Sequence, residues 1–502
     1  MARPAADVHR VIKAYDVRGL VGPEIDEAFV AEVGAAFARL LRTQPNRPGA
    51  NRPGANRLVV GHDMRDSSPS LAAAFAEGVT GQGLDVVRIG LASTDQLYFA
   101  SGFLNCPGAM FTASHNPSAY NGIKLCRAGA KPVGRNTGLG AITEELIAGV
   151  PTYDGPPGSI VDRDVLADYG AFLRSLVDLS GTRPLRVAVD AGNGMAGHTT
   201  PAVLGPIPSI TVEPLYFELD GSFPHHDANP LDPANLVDLQ KFVRETGADI
   251  GLAFDGDADR CFVVDELGAP VSPSAVTALV AARELTREIG ATVIHNLITS
   301  RAVPELIVER GGTAVRSRVG HSYIKALMAD TGAIFGGEHS AHYYFRDFWG
   351  ADSGMLAALH VLAALGEQGR PLSDLMADYQ RYELSGEINF TVDDAGSCID
   401  AVLESFGTTI VSIDHLDGVT ADLGEGTWFN LRTSNTEPLL RLNVEARLRE
   451  DVDRVVRQVA EQIQTRAAQT QTRETPTQTG ETRTDTGETQ TRETQTQTRA
   501  VP

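Results

Sequence analysis

Short β-branched runs recur along this chain (LVVGHD, DVVRIG, RVAVDAG, DIGLAF, TVIHNL, TAVRSRVG). Stretches with helical apolar spacing, such as SLAAAFAEGVTGQG and PSAVTALVAARELTREIG, stand between them. Strand-length runs bounded by glycine and alternating with helices are satisfied by sheets whose faces helices cover, so the fold class is α/β. A chain of 502 residues exceeds what one core holds, since domains run to roughly 100–200 residues. Pro- and Gly-rich or acidic breaks at 151–158, near Asp255 and at 369–371 divide it into 1–155, 156–254, 255–370 and 371–466. The last piece reads as strand-like EINFTVDD, a helix, strand-like TWFNLRTS and LLRLNVEA, and a helix over about 450–464, a small α+β domain. A tandem NRPGA repeat at 46–57 reads as a lengthened surface loop. Residues 467–502, almost wholly Thr, Gln, Glu and Arg, are too poor in apolar side chains to offset ordering entropy and are expected to be disordered.

The formal charge is −21, and the tail from Ala467 contributes only −1 of it, so the body itself is acidic. That excludes a broad nucleic-acid footprint, which needs clustered Lys and Arg. An anionic substrate must therefore be held by a local positive site. Cys106, Cys126, Cys261 and Cys398 are scattered without metal-ligand spacing and read as reduced thiols. No secretory apolar core opens the chain, and no run approaches 18 apolar residues. The expectation is a cytoplasmic protein with small-molecule partners, no nucleic acid and no membrane; nothing in the sequence bears on oligomeric state.

The most informative spacing is Asp255-Gly-Asp257-Ala-Asp259-Arg260 between the strand-like runs DIGLAF and CFVVDE. Alternate carboxylates on a tight turn converge on a hard divalent cation, with magnesium the natural occupant. A solvated acidic turn is the plain alternative. An EF-hand is opposed by Arg260 at the position that needs glycine, and by strand-like flanks.

Ser114 lies in Thr112-Ala-Ser114-His115-Asn116-Pro117, where Pro117 disfavours helix at Asn116 and a turn should expose the hydroxyl. Phosphorylated, it offers both a metal-binding dianion and a transferable group. His115 is adjacent, although strand neighbours point to opposite faces. Arg432-Thr-Ser434-Asn435-Thr436-Glu-Pro follows a strand and suits a phosphate dianion. Gly336-Gly-Glu338-His-Ser340-Ala-His342 packs a carboxylate, a hydroxyl and two imidazoles into a space that suits sugar hydroxyls. A bland polar turn is the alternative for each.

One pattern points elsewhere. Gly192-Asn-Gly194-Met-Ala-Gly197 after the strand RVAVD matches GxGxxG, with Glu213 about 20 residues on, as in a dinucleotide fold. It defines an NAD-dependent oxidoreductase as the rival from another class, against a glycine loop that merely closes a strand-to-helix turn.

Together, TASHNP, DGDADR, GEHSAH and RTSNTEP, in that order, resemble the α-D-phosphohexomutase family and its bacterial phosphomannomutase/phosphoglucomutase branch, from Tyr15 to about Gln464. The resemblance implies three related α/β domains plus a C-terminal α+β domain around a central cleft, one motif loop from each domain. It implies phosphoryl transfer between C6 and C1 of a hexose phosphate, mannose and also glucose, through a phosphoserine at Ser114 and a hexose 1,6-bisphosphate. Magnesium would be held by Ser114, Asp255, Asp257 and Asp259. Arg18 and Lys124 would lie by the reacting oxygens, with Lys124 the candidate general base and Arg18 lowering its pKa. His115 and His321 complete the catalytic set. Tyr15, Arg260, Glu338, Ser340, His342, Arg432, Ser434, Asn435 and Thr436 would bind substrate. The glucosamine branch of the family usually carries Gln at the position of His339. Two departures stand out: Ala341 where glycine is common, and Ile298 where some relatives carry a basic residue, with Arg301 a substitute.

Overall fold

The structure is a computed structural model that describes residues 2–43, 56–433 and 439–473. Four sheets are built along the chain. In the first, of seven strands among the described residues, the order is Val17–Leu20, Tyr120–Arg127, Gly108–Phe111, Arg57–His62, Asp85–Leu91 and Ile160–Asp162, with Lys131–Pro132 beside Tyr120–Arg127. The second runs Pro270–Val271, Cys261–Asp265, Ile250–Phe254, Leu185–Asp190, Ile210–Leu215. The third runs Thr313–Ser317, Thr292–Asn296, Phe335–Gly337, Tyr343–Phe345, Ala351–Asp352.

These three sheets share one plan. Parallel strands joined by helical crossovers lead to a last parallel strand, which turns back through a short loop into an antiparallel partner. The pairs at the turn are Phe111↔Ile123, Phe254↔Cys261 and Gly337↔Tyr343. The fourth sheet pairs antiparallel throughout, with the strands Thr427–Thr433 and Leu439–Ala446 forming the corresponding hairpin. Each of the four motif loops read from the sequence spans one of these hairpins.

Three domain boundaries need correction. Ile160–Asp162 pairs parallel with Asp85–Leu91, so the first sheet extends past residue 155. The break at 254/255 would cut an antiparallel hairpin of the second sheet, so the Asp255 loop belongs to the second domain rather than the third. Helix Leu372–Ala377 packs on helix Pro273–Arg287 in the third domain, and the fourth sheet begins at Glu383. The C-terminal helix Arg449–Arg473 also overruns its expected end, continued by Ala and Gln, which are good helix formers. Residues 474–502, with most of the NRPGA repeat, lie outside the described residues.

One continuous apolar core joins the first three domains, from Val59 and Leu97 through Leu185 and Leu252 to Leu359 and Met376. The fourth domain keeps its own core, around Val402, Phe429, Leu442 and Val455. It meets the third mainly through polar pairs: Arg316 with Asp414, Arg301 Nη2 to Asp422 Oδ2 at 2.6 Å, and Val319 N to Asp417 Oδ2 at 3.1 Å. All four cysteines are free and buried. Among the described residues no helix is long and apolar enough to cross a membrane.

Candidate active site

Two hairpin tips from different domains meet at Ser114. Its backbone is left-handed, with φ 50°, stapled by its amide N–H to Thr112 Oγ1 at 2.8 Å. Its hydroxyl donates to Asp255 Oδ2 at 2.8 Å. The left-handed turn also defeats strand alternation, so His115 stays on the same side, with Nδ1 3.3 Å from Ser114 Oγ. That nitrogen accepts from Arg260 Nη2 at 2.6 Å. A guanidinium only donates, so Nδ1 is unprotonated and a neutral ring carries its proton on Nε2. Burial, then Arg260 and Arg18, depress the imidazole to about 2. Since the one hydroxyl hydrogen of Ser114 goes to Asp255, His115 serves here as an acceptor for Arg260.

The Asp255 loop is gripped from three sides. Arg260 Nε bonds Asp255 Oδ2 at 2.9 Å. Lys124 Nζ bridges Asp257 Oδ2 at 2.7 Å and Asp259 Oδ2 at 2.6 Å. Thr94 binds the loop twice, its N–H to the Asp257 carbonyl at 2.9 Å and its hydroxyl to Asp257 Oδ2 at 2.6 Å. Ligand oxygens of the three carboxylates lie within 4.8 Å of one another. Asp257 Oδ1 and Asp259 Oδ1 are buried without a hydrogen-bond partner. Orphaned buried carboxylate oxygens are costly, and they are what a hard divalent cation would satisfy, so the donor set fits such an ion.

Lys124 behaves contrary to expectation. Burial alone would lower its pKa, but Asp257 and Asp259 outweigh burial and hold it well above the ordinary lysine value. Arg18 bonds Asn116 Oδ1 at 2.6 Å, the Ala113 carbonyl at 3.2 Å and Asp16 at 2.7 Å, and its Nε is buried without a partner. In this arrangement Lys124 is an ammonium held between two carboxylates.

A cavity of about 220 Å³ brings together Tyr15, Arg18, Ser114, His115, Lys124, Asp259, Arg260, His321 and His342. His321 packs edge-on against Tyr15 with ring centroids 5.1 Å apart, and burial depresses it to about 3. His342 joins the next loop to this cavity: its Nδ1 is 3.0 Å from Ser340 Oγ and 3.8 Å from Glu338 Oε2, and its Nε2 is 3.7 Å from Asp259 Oδ1. Glu338 is oriented by the Gly320 N–H at 3.0 Å and the Tyr344 hydroxyl at 2.8 Å. Arg432 sits on the fourth sheet, paired with Glu387 at 3.1 Å. Ser434, Asn435 and Thr436 lie outside the described residues.

Arg301 is committed to Asp422, and Ile298 is buried, so Arg301 does not replace a missing cleft cation. The GxGxxG loop proves to be a packing device. A Cβ at Gly197 would lie 2.3 Å from the Phe217 carbonyl, and one at Gly194 2.7 Å from that of Gly256. Met195 N–H already bonds the Gly256 carbonyl at 2.9 Å, occupying a donor that a dinucleotide pyrophosphate would use. Thr94 and Arg65, which tie the two active loops in place, stand in none of the motifs singled out from the sequence.

Comparison with known proteins agrees with this architecture. The phosphoglucomutase/phosphomannomutase alpha/beta/alpha domains I, II and III match residues 9–148, 167–268 and 272–382, and the C-terminal domain matches 387–462. The phosphohexose mutases of Xanthomonas campestris are 40% identical over 438 residues, covering 87% of this chain and 94% of theirs. A phosphomannomutase of Escherichia coli is 39% identical over 446 residues, with the same 87% and 94% coverage. A phosphoglucomutase/phosphomannomutase family protein from Burkholderia thailandensis has a TM-score of 0.81 at 29% identity, covering 93% of this chain and 98% of that one. Fold and site together define a four-domain mutase, an enzyme of the isomerase class. The chain belongs to the phosphoglucomutase/phosphomannomutase family and is a phosphohexose mutase.

Proposed function

We propose that this enzyme interconverts hexose 6-phosphate and hexose 1-phosphate, with mannose and glucose as the sugars, through a phosphoserine at Ser114 and a hexose 1,6-bisphosphate. The observation that carries the reading is the contact between the Ser114 hydroxyl and Asp255, within a carboxylate triad that keeps two orphaned oxygens. Magnesium, when bound by Asp255, Asp257, Asp259 and the Ser114 phosphate, would neutralise charge on the transferring group.

The residues of the chain do the positioning. Phospho-Ser114 gives its phosphoryl group to the free hydroxyl of the bound monophosphate; the Oγ–P bond breaks, a sugar O–P bond forms, and the sugar hydroxyl's proton ends on the departing Ser114 Oγ. The bisphosphate then turns over and returns its other phosphate to Ser114. Arg18, Lys124 and Arg260 supply fixed positive charge beside the moving group, which is what phosphoryl transfer needs most. Glu338 and Ser340 hold the 3- and 4-hydroxyls. Arg432, with Ser434, Asn435 and Thr436, holds whichever phosphate is not reacting. The polar interface of the fourth domain allows it to open for the turn without losing the intermediate.

Mannose and glucose share the 3- and 4-hydroxyls and differ at C2, which none of these contacts reads. Relatives named phosphomannomutase support the mannose assignment, and His339 in place of the usual Gln supports a neutral hexose over glucosamine. A coupled assay of mannose 1-phosphate, glucose 1-phosphate and glucosamine 1-phosphate at equal concentration tests this. The first two should turn over at comparable kcat/KM and the third at least tenfold more slowly. Preference for the glucosamine ester would overturn the assignment.

A further inference from the structure

The proposed reaction leaves one fully buried cation without a part in it. Arg65 is 1% exposed and does not line the cavity. Every one of its five N–H groups is spent. Nε bonds Asp63 Oδ2 at 3.2 Å; Nη1 bonds the carbonyls of Pro117 at 2.9 Å and Tyr120 at 3.1 Å; Nη2 bonds those of Ser114 at 2.9 Å and Asn116 at 2.6 Å. Four of the five bonds therefore end on the main chain of the loop that carries Ser114. Asp63 is itself set by the Ser68 hydroxyl at 2.6 Å and the Arg65 N–H at 3.0 Å.

This arrangement answers a local problem. A non-glycine residue in the left-handed region is strained and persists only where its surroundings enforce it. The Ser114 carbonyl faces the guanidinium in the conformation with φ 50°. The second domain closes over the outside. The Phe223 ring lies 5.2 Å from the Arg65 guanidinium carbon, and a Cβ at Gly221 would come within 2.7 Å of the Arg65 Cα.

We propose that Arg65 is the positioning residue that holds Ser114 in its left-handed conformation, so that its Oγ, bare or phosphorylated, faces Asp255, and that Phe223 of the second domain keeps Arg65 in place. The inference rests on the phosphoserine reading above. Lysine cannot replace it, because an ammonium presents three donors from a single point and cannot span four carbonyls in the plane of a guanidinium.

The test uses the full chain with Arg65→Lys and, separately, Phe223→Leu. Three readouts are taken: kcat per folded protein, KM for a hexose 1-phosphate, and amide hydrogen exchange over residues 113–120. Arg65→Lys should lower kcat about 100-fold and leave KM within about threefold, because other loops bind the sugar phosphate. Phe223→Leu should lower kcat several-fold at constant KM. Exchange in the Ser114 loop should speed up in both. A folded Arg65→Lys protein with kcat near wild type overturns the proposal, as does a parallel rise of KM that accounts for the loss. Should Arg65→Lys fail to fold, Phe223→Leu decides: unchanged kcat and exchange overturn the proposal. Failure of the phosphoserine reading would be seen separately, in wild type lacking phosphate at Ser114 and Ser114→Ala keeping full activity.

Discussion

Ser114 Oγ and Asp255 Oδ2 lie 2.8 Å apart across 141 positions of sequence. Each residue stands at the tip of the antiparallel hairpin that ends the parallel part of its own sheet. Two domains of one plan therefore present the same topological feature to each other, tip to tip. The shared apolar core behind them keeps that distance fixed. Disturbing either tip should be felt as chemistry before it is felt as unfolding.

Thr94 makes the clearest case. Its hydroxyl donates to Asp257 Oδ2 at 2.6 Å from inside the first domain. Thr94→Val keeps the shape and removes the donor, leaving a buried carboxylate oxygen short of a partner. Outer hydrogen bonds to metal ligands are worth roughly 10–100-fold in metal affinity. The magnesium concentration for half-maximal mutase activity should rise at least tenfold, with circular dichroism unchanged; an unaltered magnesium titration would contradict this.

Ala341 tests the sugar loop. It has φ 64° and is fully buried. Ala341→Gly relieves about 1 kcal/mol of backbone strain but removes a buried methyl worth about 0.8 kcal/mol, so stability should change by less than about 0.5 kcal/mol. A β-branched side chain tolerates this region poorly. Ala341→Val should cost about 2 kcal/mol or more and raise KM by displacing Glu338 and Ser340. Urea unfolding and steady-state kinetics check both; a stable Val variant with wild-type KM would refute the role given to the loop.

Much of this was legible in the chain. The strand-like runs DIGLAF and CFVVDE around the acidic triplet, and TWFNLRTS and LLRLNVEA around the last motif, are hairpin strands. The boundary at 254/255 was misplaced because Asp255-Gly-Asp257 carries the same turn signal whether it closes a hairpin or links domains. The pairing of Lys124 with Asp257 and Asp259 could not be read from the sequence, because both carboxylates come from another domain. Thr94 and Arg65 were invisible for the same reason: their partners are loops far away in sequence.

Acid should destabilise the protein. Burial first of all depresses His115 to about 2, His321 and His360 to about 3, and His295 and His339 to about 4. An unfolded histidine takes up its proton near pH 6.5. Below that the unfolded chain binds more protons than the folded one, so stability rises with pH and is lost on acidification. Burial raises Asp95 to about 6 and Asp255 to about 7, and these two work in the opposite direction over the same window. Five histidines outweigh two carboxylates. In EDTA, the melting temperature should fall between about pH 7.5 and about pH 5.5; a rise would contradict the neutral state of these rings.

The proposed cycle turns on a phosphoryl group carried by Ser114. Intact-protein mass spectrometry of the purified enzyme, with peptide mapping, tests it most directly. One substoichiometric phosphate on Ser114 is predicted, lost on incubation with hexose monophosphate and restored by hexose 1,6-bisphosphate, with no mutase turnover in Ser114→Ala. A Ser114→Ala protein with undiminished activity would rule that cycle out.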